Sequence, residues 1–157
     1  MKRLLPILLL LSGTAFAQLR VTTPPTTTCA PGSTPILGIA LNPVLSGTYG
    51  LRASQAIKNA LESAGYRVVP DYSPKIADEA SILITGEVDQ WRSSNGDYAE
   101  RVDAAHILIR DVNTSERLLN IDQDSATIIF QAQRLEDFAR NFTDVIKARF
   151  CQKPRGG

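Results

Sequence analysis

Residues 81–91, SILITGEVDQW, alternate with a period of two. Successive side chains of a β-strand point to opposite faces of a sheet, so every second residue shares a face. One face carries Ile82, Ile84, Gly86 and Val88, and the other carries Leu83, Thr85, Glu87 and Asp89. The pattern predicts a strand with one face in the core. It also raises the question of what two carboxylates do on the other face.

Downstream of this strand the chain is predicted to turn back twice. Residues 93–97, SSNGD, contain Asn-Gly, the strongest short signal for a hairpin. A long alternating strand is expected over residues 98–112, and the segment 111–117, DVNTSER, is a second turn. A third strand begins at Leu118 and is expected to continue irregularly to Phe130. These segments predict a meander of three antiparallel strands.

Upstream, the pattern predicts a strand, a helix and a second strand. Residues 36–44, ILGIALNPV, are apolar until Asn42-Pro43 and indicate a buried strand. A helix is predicted from about Tyr49 to Ala64, with Gly65 ending it in a left-handed turn. The second strand is YRVVP, residues 66–70, and residues 73–80 form a loop or helical turn. The buried face of the helix is expected to carry Leu51, Ile57, Leu61 and Ala64.

The last predicted element is an amphipathic helix of about 16 residues, whose apolar side chains recur at helical spacing. Its expected buried stripe is Leu135, Phe138, Ala139, Phe142, Val145, Ile146 and Phe150. Together the segments predict an α+β fold. A single mixed sheet, built as β-α-β followed by an antiparallel meander, has amphipathic helices packed on one face.

The N-terminal residues have the pattern of an export signal. Lys2 and Arg3 precede an apolar run that ends in Ala-Phe-Ala, and even a run of about 14 residues is shorter than the ~20 that span a bilayer. We therefore expect residues 1–17 to be a cleaved signal peptide rather than a membrane anchor. Cys29 follows three threonines, which is not the site of a lipoprotein anchor. The expected location is periplasmic or secreted, with no integral membrane segment after cleavage.

The rest of the chain divides by composition. Residues 18–35 are rich in Thr and Pro and are expected to be extended, residues 36–151 to form one α+β domain, and residues 152–157 to be a disordered tail. Removal of residues 1–17 changes the net charge from +1 to −1, because Lys2 and Arg3 are lost. A nearly neutral chain without a basic cluster argues against nucleic acid as a partner.

Cys29 and Cys151 are the two cysteines, and they flank the predicted domain. Export to an oxidising compartment favours a disulfide between them. Two free thiols or half of a metal site are the alternatives. A zinc site is a poor fit, because His106 is the single histidine of the chain.

The order of five segments resembles a known group of envelope domains. The matching segments are ILGIALNPV (36–44), SAGYRVV (63–69), Ala77-Asp78 ahead of 82–88, LIRDVNTSERLL (108–119), and the C-terminal helix. They are similar to the TolB N-terminal domain, the curli-secretion lipoprotein CsgG and the penicillin-binding-protein activator LpoB. The LPS-assembly lipoprotein LptE is a competing relative.

The resemblance implies a fold similar to anticodon-binding domains and a non-enzymatic scaffold that binds envelope or outer-membrane proteins. It supplies no catalytic residue, cofactor or metal site, and it leaves the oligomeric state open. The chain departs from the group by lacking the lipid-anchored cysteine and the insertions with which CsgG builds its pore.

The acids on the central hairpin support a rival hypothesis. Two acids at i and i+2 share a strand face, and acids on the returning strand are predicted to lie nearby. A small hydrolase or metal-binding enzyme would use such a cluster. The alternative is an exposed face whose acids lie opposite Arg92, Arg101 or Arg110. The candidate cluster consists of Glu87, Asp89, Asp97 and Glu100.

The second predicted sheet face mixes apolar and polar side chains, which favours a partner surface. Its candidate binding residues are Trp91, Tyr98, His106 and Leu108. Trp91 and Tyr98 straddle the Asn-Gly turn, where they either stack on each other or anchor a partner. His106 is expected to be half-buried and hydrogen-bonded, with some pH sensitivity near ~6.5.

Overall fold

The structure is a computed structural model that describes Cys29 and residues 31–92, 98–124 and 133–153, apart from the side chains of Tyr98 and Ala99. The helices in these ranges are α1 (Gly50–Ser63), α2 (Ile76–Glu79) and α3 (Leu135–Arg149). The strands are β1 (Thr34–Ile36), β2 (Ile39–Leu41), β3 (Val68–Pro70), β4 (Ile82–Arg92), β5 (Tyr98–Asp111), β6 (Arg117–Asp124), β7 (Gln133–Arg134) and β8 (Phe150–Gln152).

The central sheet has the strand order β3-β2-β4-β5-β6, and β7 pairs with β5. Strand β2 is parallel to both β3 and β4, whereas β4, β5 and β6 are antiparallel neighbours. The chain therefore forms a β-α-β unit and then a meander. The predicted α+β class and mixed sheet are confirmed.

The main core lies between this sheet and the two long helices. The apolar face of β4 and β5 is fully buried, and Ile84, Ile107 and Ile109 are each 0% exposed. Helices α1 and α3 pack on this face and on each other. Their most buried side chains are Ala53, Ile57 and Leu61 of α1 and Phe138, Ala139, Phe142 and Ile146 of α3.

The short helix α2 lies on the opposite side of the sheet. Ile76 of α2 packs with Leu83 and Val112 against a small second cluster of buried residues, Ala40, Val69 and Ala80. The connection from β2 thus leads to α1 on one side, and the connection from β3 leads to α2 on the other.

The predicted first strand, residues 36–44, is wrong as a continuous element. It is divided into β1 and β2 by Leu37-Gly38, and it ends at Leu41. A Cβ on Gly38 would lie 2.5 Å from the carbonyl oxygen of Glu79, so the chain passes too close to its neighbour for a larger residue. The break lets β1 leave the main sheet and pair in parallel with β8.

The β1–β8 pair is held by long-range bonds at the C-terminal end of α3. A disulfide joins Cys29 to Cys151, as predicted, with 5.4 Å between their Cα atoms. The amide of Gln152 donates to the carbonyl of Leu37 at 2.6 Å, and Tyr66 donates its hydroxyl hydrogen to the carbonyl of Phe150 at 2.7 Å. Burial raises the pKa of the Tyr66 hydroxyl.

Three side chains of the predicted helical stripes lie elsewhere. Leu51 is 63% exposed and Val145 is 39% exposed, because the sheet contacts a narrower stripe of each helix than the apolar pattern suggests. Phe150 is buried, but it belongs to β8 rather than to α3. Among the described residues, no helix combines the length and apolar character needed to cross a bilayer.

Candidate functional site

The face of β4, β5 and β6 that points away from α1 and α3 is covered by no described element over its central part. We call this surface the open face. The strand register arranges its side chains in rows that run across the three strands. The rows are Thr85–Leu108–Asn120, Glu87–His106–Asp122 and Asp89–Ala104–Asp124.

The middle row carries a histidine between two acids. Nδ1 of His106 lies 2.9 Å from Oδ1 of Asp122, and Glu87 lies opposite His106 on β4. The hydrogen bond with Asp122 is the main cause of a raised pKa of His106, and the charges of Asp122, Glu87 and Asp124 add to it. The row can therefore gain a positive charge at mildly acidic pH.

The prediction that His106 is half-buried is wrong, although the predicted hydrogen bond is present. Its side chain is 61% exposed, because the open face has no layer packed over this row. Apolar neighbours in sequence misled the prediction, since Ala105 and Ile107 point to the opposite face. The exposed imidazole is available to a partner.

Apolar side chains flank this charged row. Leu83 and Leu108 are half-buried, as is Trp91 near the far end of β4. Leu118 is 41% exposed on the neighbouring strand β6. The open face therefore presents partly exposed apolar side chains beside charged and hydrogen-bonding ones, a mixture that protein interfaces also contain.

Asp89 has a structural role within the chain. Its Oδ1 accepts a hydrogen bond from the backbone N–H of Thr48 at 2.9 Å and another from the Thr48 hydroxyl at 3.2 Å. The segment 45–49 runs along the edge of β4, where Ser46 exchanges backbone hydrogen bonds with β4. Gly47 is required in this turn, because its φ is +88° and a Cβ would lie 2.4 Å from the carbonyl oxygen of Val88.

The structure separates the described members of the acidic cluster. Glu87 lies on the open face, Asp89 binds Thr48, and Glu100 forms an ion pair with Arg52 of α1 at 2.6 Å. Asp97 lies outside the described residues. Glu87 lies opposite His106 rather than opposite the expected arginines, and Arg110 lies opposite Leu83. No group of three potential metal ligands occurs among the residues that the structure describes.

The four candidate binding residues are only partly brought together. His106 and Leu108 are neighbours on the same face of β5, and Trp91 is farther along β4. The turn 93–97 and the side chain of Tyr98 lie outside the described residues, so stacking of Trp91 on Tyr98 stays a prediction.

Sequence reasoning missed Asp122 and Thr48. Asp122 lies in the part of the third strand that was expected to be irregular, and the register that places it beside His106 follows a bulge between Ile109 and Arg110. Thr48 is 41 residues from Asp89, and no local pattern indicates that contact. The recurrence of polar residues at positions 120, 122 and 124 was the signal in the sequence for a longer third strand.

No protein-family model matches the chain, and no curated protein matches it in sequence. Solved structures similar to it include a variant of the PelC dodecamer from Paraburkholderia phytofirmans, with a TM-score of 0.46, 17% identity, and coverage of 76% of this chain and 92% of that chain. A second PelC dodecamer structure from that organism has a TM-score of 0.44 and 18% identity, covering 76% of this chain and 91% of that chain. A candidate lipoprotein from Caulobacter crescentus has a TM-score of 0.37 and 16% identity, covering 71% of this chain and 86% of that chain. These likenesses are too distant to support a conclusion about function.

Proposed function

We propose that this chain is an exported, non-enzymatic interaction domain that binds another protein of the cell envelope through the open face. The observation that carries the proposal is the difference between the two sides of the same three strands. One side is packed under α1 and α3, whereas the other leaves Leu108, His106 and Glu87 accessible over its centre.

The composition of the open face supports a protein as the partner. Partly exposed Leu83, Leu108 and Leu118 offer apolar area, and the row Glu87–His106–Asp122 offers directional hydrogen bonds and charge. Interfaces between separately folded proteins likewise combine apolar area with hydrogen-bonding and charged groups. A flat sheet surface suits a broad contact better than it suits a small substrate, which binds in a concave pocket.

The extracytoplasmic location is supported by chemistry within the chain. The Cys29–Cys151 disulfide is of the kind that persists in oxidising compartments. The export pattern of residues 1–17 agrees with it. The resemblance to the group of TolB, CsgG and LpoB domains, with LptE as the alternative, remains part of this proposal.

Photocrosslinking in cells tests the proposal. A photoreactive amino acid replaces Leu108 on the open face or, as a matched control, exposed Lys147 on α3. We expect one crosslinked protein to predominate at position 108, and the purified partner to bind the natural chain more tightly than a His106→Ala, Leu108→Ala variant. Equal crosslinking at positions 108 and 147, or equal affinity of the purified partner for both chains, would count against the open face.

A further inference from the structure

A crevice lies at the carboxyl ends of β2 and β3, apart from the open face. Strands β2 and β3 are parallel neighbours, with Leu41 in register with Pro70. The connection after β2 leads to α1 on one side of the sheet, and the connection after β3 leads to α2 on the other. Two adjacent strands whose connections diverge in this way leave a gap at their carboxyl ends, which is where open α/β sheets bind ligands.

The crevice has a volume of about 190 Å³. This is smaller than the ~300–1,000 Å³ of pockets that hold drug-sized ligands, so it suits a single side chain or a small fragment. The walls are largely apolar and include Leu41, Val68, Pro43, Pro70 and Tyr72. The Tyr72 side chain is 75% exposed at the mouth, where an aromatic ring can stack on a bound group.

Most polar groups of the crevice already have partners within the chain. The Ser54 hydroxyl donates to the carbonyl of Asn42 and accepts from the N–H of Leu45, both at 3.0 Å. The Gln55 amide donates to Asn59 at 2.8 Å. These bonds fix the shape of the wall rather than offering donors to a ligand.

Lys58 is different, because it supplies a positive charge at the wall. Its Nζ lies 4.0 Å from Oε1 of Glu62, at the outer limit of an ion pair, and its side chain is 46% exposed. No carboxylate is among the described residues that line the crevice. The Lys58 ammonium can therefore rotate to pair with an anionic ligand, and it gives up only the long contact with Glu62.

We propose that this crevice binds a compact apolar carboxylate, whose charged end pairs with Lys58 and whose apolar body lies against Leu41, Val68 and Tyr72. A free aromatic or branched acid and the C-terminal residue of a polypeptide share this chemistry. The inference does not depend on the proposed function, because Lys58 belongs to α1, which lies on the opposite side of the sheet from the open face.

The test is a nuclear magnetic resonance titration of the ¹⁵N-labelled full chain with phenylacetate and with its neutral counterpart, phenylacetamide. We expect phenylacetate to shift the amide signals of the residues around the crevice, with a Kd of about 1 mM, which is typical of a ligand of this size. These signals belong to Leu41, Asn42, Val44, residues 54–58, Val68, Val69, Asp71 and Tyr72. Phenylacetamide should bind the natural chain, and phenylacetate the Lys58→Gln variant, at least ~10-fold more weakly, which is the lower end of the gain from a hydrogen bond to a charged group.

The control variant is Lys147→Gln, which removes a lysine from α3 and should leave the titration unchanged. A short peptide that ends in phenylalanine, with a free or an amidated C-terminus, distinguishes a free acid from a polypeptide C-terminus as the source of the carboxylate. Tighter binding of the free-ended peptide than of phenylacetate indicates a polypeptide terminus, and weaker binding indicates a free acid. Absence of shifts at 10-fold the expected Kd, or equal binding of phenylacetamide, would overturn the proposal.

Discussion

The two faces of β5 differ more than its sequence suggests. Ile107 and Ile109 are 0% exposed beneath α1 and α3, whereas the alternate residue His106 has a side chain that is 61% exposed. On one face the side chains are fixed by packing against the helices. On the other, exposed His106 forms a hydrogen bond with Asp122 of the neighbouring strand. Stability is therefore concentrated on one side, which leaves the other side able to meet a partner at little cost to the fold.

The largest expected effect is a core truncation. Phe142→Ala should lower the free energy of unfolding by ~3–5 kcal/mol, because the ring is 2% exposed and its loss leaves a cavity. The matched control is Val145→Ala on the same helix, where 39% exposure should limit the loss to under ~1 kcal/mol. Urea denaturation followed by circular dichroism measures both, and similar losses would show that α3 is packed differently.

The disulfide gives the next effect. Replacing Cys29 and Cys151 together with Ser should cost ~2–4 kcal/mol, because the bond closes a loop across 122 residues and restricts the unfolded chain. Thermal unfolding of the natural chain with and without a reductant checks the same quantity without a mutation. If reduction leaves the midpoint unchanged, the bond is absent or the ends are held by β1 and β8 alone.

A smaller effect separates the two acids of β4. Asp89→Ala should cost ~1 kcal/mol, because the N–H and the hydroxyl of Thr48 lose their acceptor. Glu87→Ala should change stability by less than ~0.5 kcal/mol, because this exposed carboxylate acts on His106 through charge rather than through a hydrogen bond. Chemical denaturation of the two variants decides this, and equal losses would place both acids in structural roles.

The smallest expected effect on stability is the one that comes from protonation of His106. Its hydrogen bond with Asp122 holds the pKa of the imidazole above the ordinary value of 6.5, so the charged pair stabilises the fold at low pH. That contribution is complete below the unfolded pKa and is lost as pH rises through the folded pKa. Nuclear magnetic resonance should show a lower pKa in Asp122→Asn than in the natural chain, with Asp144→Asn as the control. An unchanged pKa in Asp122→Asn would exclude the hydrogen bond.

The sequence predicts the buried side of the sheet well. The period of two in residues 82–88 and the helical spacing around Phe138 and Phe142 identify side chains that are buried in the structure. Such patterns are reliable because burial of apolar area is the dominant driving force of folding. The pairing of Cys29 with Cys151 was predictable for a different reason, since the chain has two cysteines.

The open face and its surroundings were less predictable. Glu87 and Asp89 do not act as a pair, because Asp89 accepts hydrogen bonds from Thr48. Glu100 forms an ion pair with Arg52 of α1, which packs on the opposite face of the sheet. The pairing of β4 with β5 shifts register between Asp89 and Arg92, so strand alternation alone places Glu100 on the wrong face. Contacts between residues that are distant in the chain depend on tertiary packing, which local patterns do not specify.

The central claim is that the open face binds a partner while contributing little to the fold. The most direct measurement is the sedimentation of the full-length protein in envelope extracts, compared between the natural chain and Leu108→Lys. We expect the variant to unfold within about 4 °C of the natural chain, which corresponds to ~1 kcal/mol, yet to sediment as the free protein while the natural chain sediments in a larger complex. A variant that remains in a complex of natural size, or a natural chain found only as free protein, would contradict the account.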